Sequence, residues 1–241
     1  FTISLKEIDI KAINKNGETI LHKACKSGNF ELVKYLIESN YRIDINCLDN
    51  YNRSILFYAC QNDNLDLIKY LISLDLNITS KDKNNDTIIH SACQNGCIEV
   101  AKYLISLKKI DIDSTNKQGE TILSYACESG NLSLVKFIIQ HNVIDLKLKN
   151  IDGKNILFFA IESNNLDLLK YLLLLDKIDI NVKNNRGQTI LHLACESNNA
   201  ELVKYLCGRR KIDLSVKDIN NSNLLHYVCE SGNLEIFKFL Q

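Results

Sequence analysis

No stretch of about 18 uninterrupted apolar residues occurs in this chain, so nothing in it reads as a membrane-spanning helix. A charge excess is lacking as well: 29 Lys and Arg balance 29 Asp and Glu. Generic binders of nucleic acid or anionic membranes carry a basic surplus, so both are disfavoured as partners. Methionine is absent, the first residue is Phe1 and no signal peptide is visible, so the sequence reads as an excised piece of a longer chain. Proline is absent too; beside abundant Lys, Asn and Ile this points to an AT-rich coding genome and says nothing about partners. Catalytic signatures are also missing. There is no glycine-rich phosphate loop with its lysine, no Gly-x-Ser-x-Gly elbow and no His-Glu-x-x-His. The chain reads as non-catalytic, with no cofactor.

What is present is one phrase, repeated. A core alanine stands at Ala24, Ala59, Ala92, Ala126, Ala160 and Ala194, with Val228 in the seventh place. The steps are 35, 33, 34, 34, 34 and 34 residues. A period of that length marks stacked supersecondary units, none of which buries its apolar face alone. The register places the tail of a preceding repeat at 1–13 and repeats at 14–48, 49–81, 82–115, 116–149, 150–183, 184–217 and 218–241, the last truncated. Phe1–Ile10 aligns with Tyr103–Ile112, so the chain is expected to open inside a second helix, with further repeats or another domain beyond both ends.

Each unit carries the same local signals. Seven residues before the core residue stand Gly17, Asn52, Asn85, Gly119, Gly153, Gly187 and Asn221, the residue types that best tolerate a left-handed backbone in a tight turn. Thr19, Ser54, Thr87, Thr121, Asn155, Thr189 and Asn223 follow where a helix N-cap belongs. A second turn, such as Ser27-Gly28-Asn29, leads to a second amphipathic helix, such as Glu201–Leu206. A lysine recurs once on that helix, from Lys34 to Lys238, read as a solvated face whose stems cover apolar neighbours.

The nine cysteines do not spell a metal or redox centre. Cys25, Cys60, Cys93, Cys127, Cys195 and Cys229 follow the core residue and are expected on the buried side of the first helix. Equivalent atoms of stacked helices lie about 10 Å apart, beyond disulfide reach. Reduced thiols favour a cytosolic or nuclear compartment. His90, Cys93 and Cys97 share a helical spacing but lack a fourth ligand. Every histidine except His141 belongs to the repeated phrase.

The phrase Gly17-Glu18-Thr19-Ile20-Leu21-His22-Lys23-Ala24, written again at Gly187–Ala194, closely resembles the ankyrin repeat and its Thr-Pro-Leu-His-x-Ala hallmark. The family proline is replaced throughout by Ile or Leu, and the family histidine by Phe57, Ser124 and Phe158 in three repeats. The resemblance implies an all-α solenoid of about seven stacked helix-turn-helix units, with β-hairpin-like turn fingers and a concave face that binds protein or peptide partners. On that face the residues two places after the core change from Lys26, Gln61 and Gln94 to Glu128, Glu162, Glu196 and Glu230. Tyr58, Tyr125, Phe159 and Tyr227 precede the core residue and would add aromatic surface. The fingers contribute Tyr51, Arg53, Ile151, Arg186 and Ile219. An acidic stripe beneath aromatic rings suits an extended basic segment. The alternative is that the glutamates only solubilise the face and the rings only fill gaps between helices. Three functions follow: an interaction scaffold, a regulatory or tethering arm of a larger protein such as a channel, kinase or cytoskeletal linker, and, third, a nucleic-acid or lipid contact through the lysines.

Overall fold

The structure, a computed structural model, describes residues 9–39, 41–141 and 145–241. The reading of Phe1–Ile8 as helix lies outside them. The described chain is helical, and its helices come in consecutive antiparallel-connected pairs. It divides between Lys117 and Gln118 into two compact units.

The first unit holds three pairs: α1 (Ile20–Ser27) with α2 (Phe30–Glu38), α3 (Ile55–Ala59) with α4 (Leu65–Ser73), and α5 (Ile88–Gln94) with α6 (Ile98–Ser106). Helices α1, α3 and α5 pack side by side, and α4 packs on α6. The second unit holds α7 (Ile122–Glu128) with α8 (Leu132–His141), α9 (Ile156–Glu162) with α10 (Leu166–Leu174), α11 (Ile190–Glu196) with α12 (Ala200–Cys207), and α13 (Leu224–Ser231) with α14 (Leu234–Leu240). Its first-layer helices α7, α9, α11 and α13 follow the same side-by-side order.

Expected caps form at several first helices, though not at Ser54. Thr19, Thr121 and Asn223 each accept a hydrogen bond from the backbone N–H three residues on. The histidine of the phrase completes the box: His22 Nδ1 accepts from the Thr19 amide at 3.1 Å. Its other nitrogen, Nε2, donates to the Arg53 carbonyl at 3.2 Å, tying one repeat to the next. Where serine replaces histidine the box survives, since Ser124 Oγ accepts from the Thr121 amide at 3.3 Å. Where Phe57 replaces it, the buried Ser54 hydroxyl has no partner. Phenylalanine has no polar atom to return.

All seven turn positions adopt the left-handed backbone, with φ between 61° at Asn52 and 76° at Gly17. Fingers close on themselves, as where the Asn184 N–H donates to the Gln188 carbonyl at 2.9 Å. The fingers are too short to form strands, and the described residues hold a single antiparallel bridge, Lys81 with Thr87. The hairpin-like fingers are thus tight turns without named strands among the described residues. These turns are joined tip to tip. In the first unit the Asn50 amide donates to Asn16 O, Lys83 to Tyr51 O and Lys117 to Asn84 O, each at 2.8 Å. In the second, Ile151 donates to Gln118 O and Asn185 to Asp152 O at 2.8 Å, and Ile219 to Arg186 O at 3.0 Å.

A second set of links was not foreseen. Asparagines cap the second helices, and their amide groups reach back one repeat. Asn64 Nδ2 donates to Gly28 O and Asn165 Nδ2 to Gly130 O, both at 2.8 Å, while Asn199 Nδ2 meets Asn164 Oδ1 at 2.7 Å. On the same helices the recurring lysines lie over the next repeat's tyrosine: Lys69 over Tyr103, Lys136 over Tyr171 and Lys170 over Tyr205, at 5.3–5.8 Å. These three lysines thus cover neighbouring rings, while Lys102 pairs with Glu99 and Lys204 with Glu235.

Candidate interaction groove

The core alanines are fully enclosed from Ala59 through Ala194, which lets adjacent first helices approach closely and fixes which side chains remain outside. Two places further on, Glu128, Glu162, Glu196 and Glu230 are all exposed, on α7, α9, α11 and, in the last case, α13. All four belong to the second unit. Between the fingers at 150–154 and 184–188 and helices α9 and α11 lies a concavity of about 480 Å³. It brings together Asp152, Lys154, Glu162, Arg186 and Glu196. Exposed Ile151 and Ile219 flank this region on neighbouring finger tips.

The carboxylates feel one another. Burial, with the charges of Glu120 and Glu162, raises the Glu128 carboxyl above the usual carboxylate range. Glu162 is partly compensated, because Lys154 Nζ sits 2.6 Å from its Oε1 and 6.0 Å over the Phe159 ring. Glu196 and Glu230 have no such ion pair among the described residues.

The four rings are not groove surface. Tyr58, Phe159, Tyr125 and Tyr227 are at most 9% exposed. The seam between repeats takes them in. Tyr58 meets His22 of the preceding repeat edge-on at 5.1 Å, and its single hydroxyl proton is shared between Asp49 at 2.7 Å and Glu18 at 2.8 Å. Tyr227 packs likewise on His192 at 5.0 Å; its hydroxyl donates to Asp218 at 2.8 Å and accepts from Gln188 at 3.0 Å. Burial and the Asp49 and Glu18 carboxylates push the Tyr58 phenol well up. Glu18, bonded by Lys23 and Asn14, is held down to about 2.

In the first unit, exposed Tyr51 keeps its place on a finger tip, with the Arg53 guanidinium 5.3 Å over its ring. Arg53 is half-buried and donates from Nε to Asp82 at 3.1 Å, an ion pair between successive fingers. It therefore joins two repeats. Cys25, Cys60, Cys93, Cys127 and Cys195 are buried as expected, but Cys229 is exposed, since among the described residues no helix covers that side of α13. Burial pushes the Cys25 and Cys195 thiols up to about 12. His90, Cys93 and Cys97 are buried, and Thr87 bonds the ring of His90.

No curated protein matches the chain. A family model described as "Ankyrin repeats (3 copies)" matches residues 2–82, 43–116, 89–184 and 157–241. With paired helices, left-handed finger tips and Thr–His capping boxes recurring along the same span, the chain belongs to the ankyrin-repeat family.

Proposed function

We propose that the chain is a non-catalytic scaffold or adaptor of seven repeats, whose second unit receives an extended basic segment of a protein partner. Ankyrin repeats are in general protein–protein interaction modules. The observation that carries the finer reading is the unbroken row Glu128, Glu162, Glu196 and Glu230, exposed on successive first helices beside finger-tip side chains. Opposite charge at that spacing steers and registers a cationic strand. Charge and finger-tip contacts carry recognition, because the rings lie beneath. A partner spanning four repeats would bury about 1,600 Å² in total. The cytosol suits the free thiols, and the same groove would serve if the chain were the regulatory or tethering arm of a larger protein.

Replacing the four glutamates with lysine is the direct test. Capture of Lys/Arg-rich peptides, read by fluorescence anisotropy, should fall at least tenfold, while the thermal melt stays within a few degrees of the parent. Unchanged affinity would remove the acidic row from the function.

A further inference from the structure

The second unit holds a larger hollow that shares no residue with the acidic row. It has a volume of about 890 Å³ and is walled by the loops that follow α8, α10 and α12. Six cations line it, Lys147, Lys149, Lys177, Arg209, Arg210 and Lys211, against two carboxylates, Asp176 and Asp179. Both carboxylates are already engaged. Lys211 Nζ lies 2.6 Å from Asp176 Oδ1, and Asp179 Oδ1 accepts the Asn181 amide at 2.9 Å. The floor is apolar, with Leu173, Ile178, Ile180 and Val182.

The walls are held in place. Asn181 Nδ2 donates to the Lys211 carbonyl at 2.6 Å, and Asn181 Oδ1 accepts the Asp213 amide at 3.0 Å, so one side chain staples two successive loops. Arg209 is fixed with its guanidinium 5.6 Å over the Tyr205 ring. Cations near the ends of α10 and α12 answer the negative poles of those helices. Lys147 and Lys149 lie beyond any helix end, so that explanation does not reach them. Equivalent loops differ in charge: after α4 the chain reads Leu74-Asp75-Leu76, after α6 Leu107-Lys108-Lys109, and after α12 Gly208-Arg209-Arg210-Lys211.

We propose that this hollow binds a compact polyanion bearing clustered phosphate groups. The volume falls within the range of small-molecule sites. Several cations confined in that space are matched only by a ligand that packs several negative charges into few atoms, and each phosphate monoester brings about −1.5 to −2. Arginine forks pair with phosphate oxygens in two-point contacts, with lysines as point charges around them. A soluble polyphosphate and a phosphorylated lipid headgroup share this chemistry.

Inositol hexakisphosphate, titrated into the whole chain in a calorimeter at about 0.1 M salt, is the probe. It should bind, and the variant Lys147→Ala, Lys149→Ala, Lys177→Ala, Arg210→Ala should bind at least tenfold more weakly with an unchanged circular-dichroism melt. A control that removes Lys26, Lys34, Lys83 and Lys108 should keep full affinity. Flotation with phosphoinositide vesicles that the free probe displaces would assign the ligand to a lipid headgroup, and absence of flotation to a soluble one. No binding of either probe, equal loss in the control, or single-stranded DNA of matched phosphate number binding as tightly would overturn the proposal.

Discussion

At Gly187 the backbone turns through φ of 70°, and the tip of the next finger presses against it. A Cβ added there would meet the Ile219 amide nitrogen at 2.9 Å, the group that donates to the Arg186 carbonyl. Gly232 has the same φ of 70° with nothing within 4 Å. Gly232→Ala should therefore lose only the left-handed penalty of about 1–2 kcal/mol. Gly187→Ala should lose more, because the tip-to-tip bond must lengthen; urea denaturation of the two variants checks the difference. The seven finger positions were legible because Gly and Asn take the left-handed backbone with least strain, whereas left-handed Arg42, Asp75, Lys108 and Asp176 carried no such signal. The fate of the rings was not. Tyr58 sits beside the core alanine in sequence, and only its partners, Glu18 and His22 some forty residues earlier, decide that it turns into the seam.

Helix α9 shows what sets the spacing of the first layer. Ala160 is fully buried, with α7 on one side and α11 on the other. Ala160→Leu should destabilise by about 1–3 kcal/mol, since a close-packed seam has no room for three further carbons; a thermal melt reads it. Helix boundaries followed from sequence because caps are local: an oxygen, an amide three residues on, and a returning side chain. The asparagine links were not legible. Asn165 announces a cap, but that its Nδ2 reaches Gly130 depends on how two repeats meet. The same holds for the lysines over rings, whose tyrosine partners lie a full repeat away.

For the molecule as a whole, zero net charge conceals strong sorting within the second unit, where four exposed glutamates follow one another on the first-layer helices and six cations line the hollow. Composition alone could not display that, because addition erases position. Stability is tied to pH through a few enclosed groups. Burial lowers the His22 and His192 imidazoles below their ordinary value. The unfolded chain therefore takes up protons that the folded chain refuses, and stability drains as pH falls below about 6.5. Glu18, held near 2, contributes fully above about 4.5 and fades only toward its folded value. Urea midpoints should fall between pH 7 and pH 5, and His22→Gln with His192→Gln should flatten that slope.

The cysteines give the fold a clock of its own. Cys229 stands in the open, while Cys25, Cys60, Cys93 and Cys97 are enclosed in one unit and Cys127 and Cys195 in the other. Burial that raises a thiol also starves it of the reactive thiolate. A maleimide will thus tag Cys229 promptly, the half-buried Cys47 and Cys207 more slowly, and the six enclosed thiols only when a layer swings apart. The order in which those later tags arrive records which part of the stack breathes first.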